Sequence, residues 1–280
     1  QGVQNNAFIH DSYQGNPITD PRDGNTYNTI VIGTQCWMAE NLAYLPSVSP
    51  SDQGSYTIPH YYVYGYQGTN VNAAKATSNY QTYGVLYNWP AAMAGAASSS
   101  SVPSGVQGVC PVGWHLPSDE EWKILEGEVD SQYGFPDAEW DETGYRGFDA
   151  GGNLKETGFI HWSAPNTRAT NNSGFTALPG GSRYRSGSFK RLDSFANFWS
   201  STESSFSRAW SRRLFYYAPI MTRRLSFMRH GFYVRCISDC SPQPTQSDAG
   251  IDQLNIPGTS TTLSANTPTT GQGLWTILSG

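Results

Sequence analysis

Hydrophobic and polar positions begin to alternate just after the turn signal Asp23-Gly24-Asn25. In TYNTIVIG, Tyr27, Thr29 and Val31 share one face and Asn28, Ile30 and Ile32 the other, which predicts a strand. QCWMAENLAY adds a second short apolar element. Residues 1–22 are polar and predicted irregular. Residues 46–82 show no period and are rich in Ser, Tyr and Asn. A connection this long is either functional or pinned by its tyrosines. YGVLYNWPAAMAGAA predicts a helix, with Asn88 as N-cap, Pro90 in the first turn and strong helix formers from Ala91 to Ala97.

The stretch CPVGWHLPSDEEW (110–122) raises a choice between catalytic cluster and helix start. Ser118 and Glu121 form the S-x-x-E of a capping box. Asp119 and Glu120 fall in the first turn, where the helix dipole favours negative charge. Trp122, Leu125 and Val129 then line one apolar stripe. These acids therefore have a full account as helix-start residues, and His115 reads as a packed or solvent-facing side chain. From 145 to 180, Gly and aromatics predict short strands and tight turns. FANFWSSTESSFSRAWSRRLFYY and MTRRLSFMRHGFYVRCI predict closing strands of a sheet, with a turn at Ala218-Pro219. The class is α+β: a few helices beside a largely antiparallel sheet.

A composition shift follows Cys240, dividing the chain into an extension (1–22), a main domain (23–240), a Pro/Ser linker (241–247) and a Thr/Ser-rich tail (248–280) whose last part, STTLSANTPTTGQGLWTILSG, is free of charge. Two strand-like runs, 260–266 and 273–278, flank a Pro/Gly turn. Trp275 resembles the core Trp of an immunoglobulin-type sandwich. Two or three strands do not make a sandwich. The expectation is a longer polypeptide, or a partner that supplies the missing strands by β-augmentation.

Composition narrows the function classes. The chain has 280 residues, with 38% hydrophobic, 14% aromatic and only 14% charged residues. A polar, neutral, turn-rich surface of this kind suits an extracellular β-rich protein. The net charge of −5 argues against general nucleic-acid affinity. No apolar run reaches membrane-spanning length, so membrane insertion is not expected. The Gln1-Gly2 start fits a mature secreted chain, although a cloning boundary would look the same. Cys36, Cys110, Cys236 and Cys240 make an even count without zinc-site spacing, which favours disulfides.

Several pieces resemble one family when taken in order: DPRDGNTYNTIVIGTQCWMAENLAY, YGVLYNWPAAM, CPVGWHLPSDEEW, GFTALPGGSRY, FANFWSSTESS and GFYVRCI. Over about residues 20–240 the chain resembles the Fibrobacter succinogenes major paralogous domain, abbreviated FISUMP, of bacterial secreted and surface proteins. The tail from Asp248 is similar to the first strands of Ig-like or PKD-like repeats in adhesins of gliding Bacteroidota. The order WHLPSDEEW, FWSST, VRCI is similar, more remotely, to the C-type-lectin-like fold. That likeness implies a twisted antiparallel sheet, two helices and a long irregular region. It extends to formylglycine-generating, sulfatase-modifying enzymes, which would need a reactive cysteine pair.

Cys110 and Cys236 occupy the C-P-x-G-W and V-R-C positions, which look structural. Three pairings are open; the favoured one joins Cys110 to Cys236 and Cys36 to Cys240. The first would close a loop of roughly 125 residues, for which chain entropy gives about 5 kcal/mol at most. No G-x-S-x-G, H-E-x-x-H or P-loop occurs, and the five histidines are scattered. The expectation is a non-enzymatic tip domain of a long secreted, type IX-exported adhesin that binds glycan or surface ligands, without cofactor. A filament subunit joined by strand exchange and a sulfatase-modifying-type enzyme are the alternatives.

Candidate ligand residues are Asp193, Asn197, Trp199 and Glu203, with Arg212 and Arg224. Aromatic faces stack on sugars while amides and acids bond hydroxyls. Phe198 and Trp199 as core, with the serines capping a turn, is the favoured reading. Calcium would need six or more oxygens, and no D-x-D-x-D-G run supplies them. Arginines gather late, at 183, 185, 191, 208, 212, 213, 223, 224, 229 and 235. One face of them suits sulfated or carboxylated glycans through bidentate contacts. Pairing with local carboxylates or stacking on tyrosines is the simpler account.

Overall fold

A computed structural model describes residues 14–239, all within the first of two units of the chain, Gln1–Asp239. Cys240, the linker 241–247 and the tail 248–280 with Trp275 lie outside the described residues. The first half runs β1 (Gln14–Thr19), β2 (Thr26–Ile32), β3 (Gln35–Met38), β4 (Tyr61–Tyr62), α1 (Val71–Lys75), α2 (Ser78–Tyr83), β5 (Leu86–Tyr87), α3 (Trp89–Met93) and α4 (Asp119–Val129). A 3-10 turn (Ala138–Asp141) leads to β6 (Gly144–Arg146) and α5 (Ala150–Leu154). The described residues close with β7 (Gly180–Arg183), β8 (Phe189–Leu192), β9 (Phe195–Ser205), β10 (Arg208–Phe215), β11 (Ala218–Phe227) and β12 (Ile237–Asp239).

The α+β class holds. One four-stranded sheet has the order β1-β2-β3-β12 and another the order β6-β11-β10-β9, with two small pairs, β4-β5 and β7-β8. Every ladder between these strands is antiparallel. The β3–β12 ladder places the two ends of the domain in one sheet.

Both expected helices form. The side chain of Asn88 caps α3 by accepting from the Ala91 amide, but the helix stops at Met93 because Ala94 turns left-handed (φ 48°). In α4 the capping box is complete in both directions. The structure adds three short helices that the sequence reading missed. Two fall in the expected 46–82 loop, the second running on to Tyr83, and are capped by Asn70 and Thr77. At five and six residues they are too short to show a period.

The same loop is also pinned by its tyrosines: Tyr62 donates to Gln53 O, Tyr66 to Asn70 O and Tyr80 to Ala43 O. Residues 14–19 correct the expectation of an irregular start. QGNPIT lacks alternation, yet it pairs with β2 through a bulge, and a Cβ at Gly15 would overlap the Thr29 hydroxyl. The final hairpin turns at Tyr216-Tyr217, before Ala218-Pro219, because Phe215 already pairs with Ala218.

The second sheet packs on α4 through aromatic rings. Trp122 lies 4.9 Å from Trp37 and 5.5 Å from Phe198, and Phe175 sits edge-on to Trp37 at 5.6 Å. Each fully buried side chain of this size contributes about 1.5–3 kcal/mol over an exposed one. Cys110 and Cys236 are bridged across 126 residues of sequence, with their Cα atoms 5.9 Å apart. Cys36 is also disulfide-bonded, and its expected partner, Cys240, lies outside the described residues.

Candidate functional site

The ligand residues expected from sequence do not form one site. Trp199 is fully buried and donates its indole N–H to Tyr87 O. Asn197 is also buried, donating to Gly181 O and accepting from Arg213 Nε. Arg212 is sealed beneath α4, bonded to Glu126 at 2.5 Å and to Asp119 at 2.6 Å. These three side chains are committed to the core and reach no ligand. Asp193 and Glu203 are exposed, and Arg224 is half-buried. The acids of 110–122 are also engaged: Glu121 closes the capping box and meets His115 Nε2 at 2.7 Å. Among the described residues, no three His, Cys, Asp or Glu side chains converge as a metal site.

An opening in the surface of the described residues lies elsewhere. A cleft of about 900 Å³ runs between the β1–β2 edge, residues 39–43, α2 and residues 171–178. β2 supplies Asn28 and Ile30. After β3 the chain supplies Glu40 and Asn41, and α2 supplies Tyr80, Gln81, Thr82 and Tyr83. Most of these groups are held by their neighbours. Glu40 accepts from both the backbone and the side-chain amide of Asn28, at 2.8 and 2.6 Å. Asn41 donates to Tyr83 O and accepts from Arg235 Nε.

Arg235 lies at the base, donating to the carbonyls of Met38, Phe175 and Thr176, and burial lowers its pKa to about 9. Burial pushes the Tyr83 hydroxyl up to about 12, helped by the charge of Asp193. The phenol is therefore a neutral hydrogen-bonding group at ordinary pH.

The 171–178 wall carries backbone strain. Asn171 (φ 51°) and Thr176 (φ 53°) are both left-handed, a conformation unfavourable for a β-branched residue. Their side chains over-determine it: Asn171 donates to the Thr176 hydroxyl and accepts from the Thr176 amide, at 2.9 and 2.8 Å. Strain held in this way clusters at ligand sites. Sequence reasoning missed the cleft because its walls come from six separated stretches of the chain, none with a motif of its own.

The model of the Fibrobacter succinogenes major domain matches residues 30–238. The chain belongs to this family. The match runs from within β2 to within β12, so the Fibrobacter succinogenes major domain includes the second sheet, the first sheet apart from β1 and the start of β2, and the Cys110–Cys236 bridge. No curated protein and no solved structure matches the chain. Within the family match, the cleft is built from the domain's own residues, except for the β1 and early β2 edge.

Proposed function

We propose that this domain is a non-enzymatic binding module of a long secreted cell-surface protein, and that its cleft takes a neutral, hydroxyl-rich glycan. The observation that carries the reading is the cleft lining, where amides, hydroxyls and phenols alternate with Ile30 and Leu178. Such a surface bonds sugar hydroxyls and offers apolar contact to the carbon face. Among its described lining residues Glu40 is the sole carboxylate, and glycoside hydrolysis ordinarily requires two.

A sulfatase-modifying activity would need reactive thiols at Cys110 and Cys236, and these are bridged and buried. Disulfides and low charge favour an extracellular setting. No helix among the described residues is long and apolar enough to cross a membrane. The arrangement of α3 and α4 beside antiparallel sheets, with long irregular connections, supports the finer C-type-lectin-like reading. The filament alternative rests on the tail 248–280, outside the described residues.

A broad glycan array with and without EDTA tests the reading. Neutral glycans are expected to bind equally in both conditions. An Asn28→Ala/Gln81→Ala variant should bind about tenfold more weakly or worse, a loss of about 1.4 kcal/mol. An empty array, or unchanged binding by the variant, would remove the cleft from consideration.

A further inference from the structure

The arginines of the second sheet fall into two chemically different groups. In register, Arg212 faces Arg223 across β10–β11, while Ser211 faces Arg224 and Arg213 faces Thr222. Arg213 and Arg224 are therefore diagonal neighbours on the sheet face opposite Arg212 and Arg223. Residues 227–231 and the β7–β8 hairpin close in on them. His230 packs at a tilt against Tyr184 (5.7 Å between ring centres) and edge-on to Phe227 (6.0 Å), and Arg185 lies 4.6 Å above the Phe227 ring.

Arg183 enters the same region, its guanidinium spent on the carbonyls of Ser51, Gln53 and Arg229. Arg213 spends Nε on the amide oxygen of Asn197 at 2.7 Å.

No carboxylate forms an ion pair with this charge among the described residues, and Asp52 acts only at a distance, on Arg183. Arg22, Arg146, Arg212 and Arg223 make ion pairs, whereas among the described residues Arg183, Arg185, Arg213, Arg224 and Arg229 make none. Three nitrogens in the cluster are shielded from solvent and unbonded among the described residues: Arg224 Nε, Arg229 Nε and His230 Nδ1. Unpaired buried cations and donors are costly, and natural proteins rarely tolerate them without a partner.

We propose that this cluster, with Arg213 and Arg224 as its floor and Arg185 and Tyr184 at its rim, binds the sulfate or carboxylate group of an acidic glycan. Guanidinium forks match both groups bidentately, and the half-exposed Arg224 and exposed Arg185 give the ligand access. Burial and the neighbouring Arg224 lower Arg213 to about 10, so it keeps its charge at neutral pH. Burial, with Arg224 and Arg213, lowers His230 to about 3, so it is a neutral ring that can donate one N–H.

The glycan part of this inference rests on the proposed binding function, but the site is separate from the neutral cleft. Calorimetric titration of the full chain with dextran sulfate, polygalacturonate and unmodified dextran at low ionic strength tests it. At least one acidic polymer is expected to bind. Arg224→Gln and Arg185→Gln should each weaken that binding about tenfold. Lys75→Gln, which removes the same charge from α1, should leave it within about twofold. The preferred polymer tells sulfate from carboxylate.

Failure of both acidic polymers, or equal weakening by all three variants, would overturn the site. The Asn28→Ala/Gln81→Ala variant should still bind the acidic polymer, so loss of neutral-glycan binding alone bears only on the cleft.

Discussion

Arg212 and Arg213 are adjacent in the chain and sit on opposite faces of β10, where positive charge meets opposite surroundings. On the α4 face, Arg212 and Arg223 share Asp119, and Glu126 bridges Arg212 and Arg146. Burial alone would raise the Asp119 carboxyl, but Arg212 and Arg223 hold it at about 2. Arg223 also lies 3.5 Å over the Trp210 ring. On the other face, Arg213 and Arg224 have aromatic and amide neighbours but no acid. The same residue type is a structural tie where a helix brings carboxylates, and an unanswered charge where none arrives.

The largest effect that sharpens this contrast is expected at Glu126. Glu126→Gln leaves Arg146 and Arg212 buried with one partner removed, and should cost about 3–5 kcal/mol in denaturant unfolding. Arg224→Gln should change stability by no more than about 0.5 kcal/mol, or raise it, because it removes repulsion instead of an ion pair. A comparable loss at both sites would erase the distinction. Between these, Ser118→Ala should cost about 1 kcal/mol by opening the capping box that aims Asp119 and Glu126 at the sheet.

The two faces should also separate by pH. His230 is lowered in the folded state, so the unfolded chain binds its proton first. Its contribution is full above the unfolded value of 6.5 and is lost as pH falls toward about 3. Asp119 is also lowered, so its contribution is full above 3.8 and is lost as pH falls toward about 2. His230→Phe should flatten the stability profile in the upper window and leave the lower one in place. A wild-type profile that is flat between pH 6.5 and 4 would contradict the uncompensated cluster.

The sequence carried the local chemistry well. Ser118 with Glu121, Asn88 before Pro90 and the alternation from Tyr27 each report a structure within one element, and each formed. The Cys110–Cys236 bridge was legible through the family resemblance. What the sequence could not carry was which face of a strand would be covered. Period two puts Arg212 and Arg213 on opposite sides, but only the docking of α4 decides that Arg212 is sealed and Arg224 is not. Trp199 looked like a sugar platform for the same reason, yet β5 and Phe232 cover it, the ring of Phe232 lying 4.5 Å away. β1 was hidden because Gly15 and Pro17 break its pattern, and the cleft because its walls meet only in the fold.

Thermal unfolding in sulfate against chloride of matched ionic strength reads directly whether the Arg213–Arg224 face holds an oxyanion. Sulfate stabilises many proteins through exclusion, so the informative quantity is the difference between wild type and Arg224→Gln. Wild type is expected to gain more from sulfate than the variant does. Equal gains would show that the face carrying Arg213 and Arg224 holds no oxyanion.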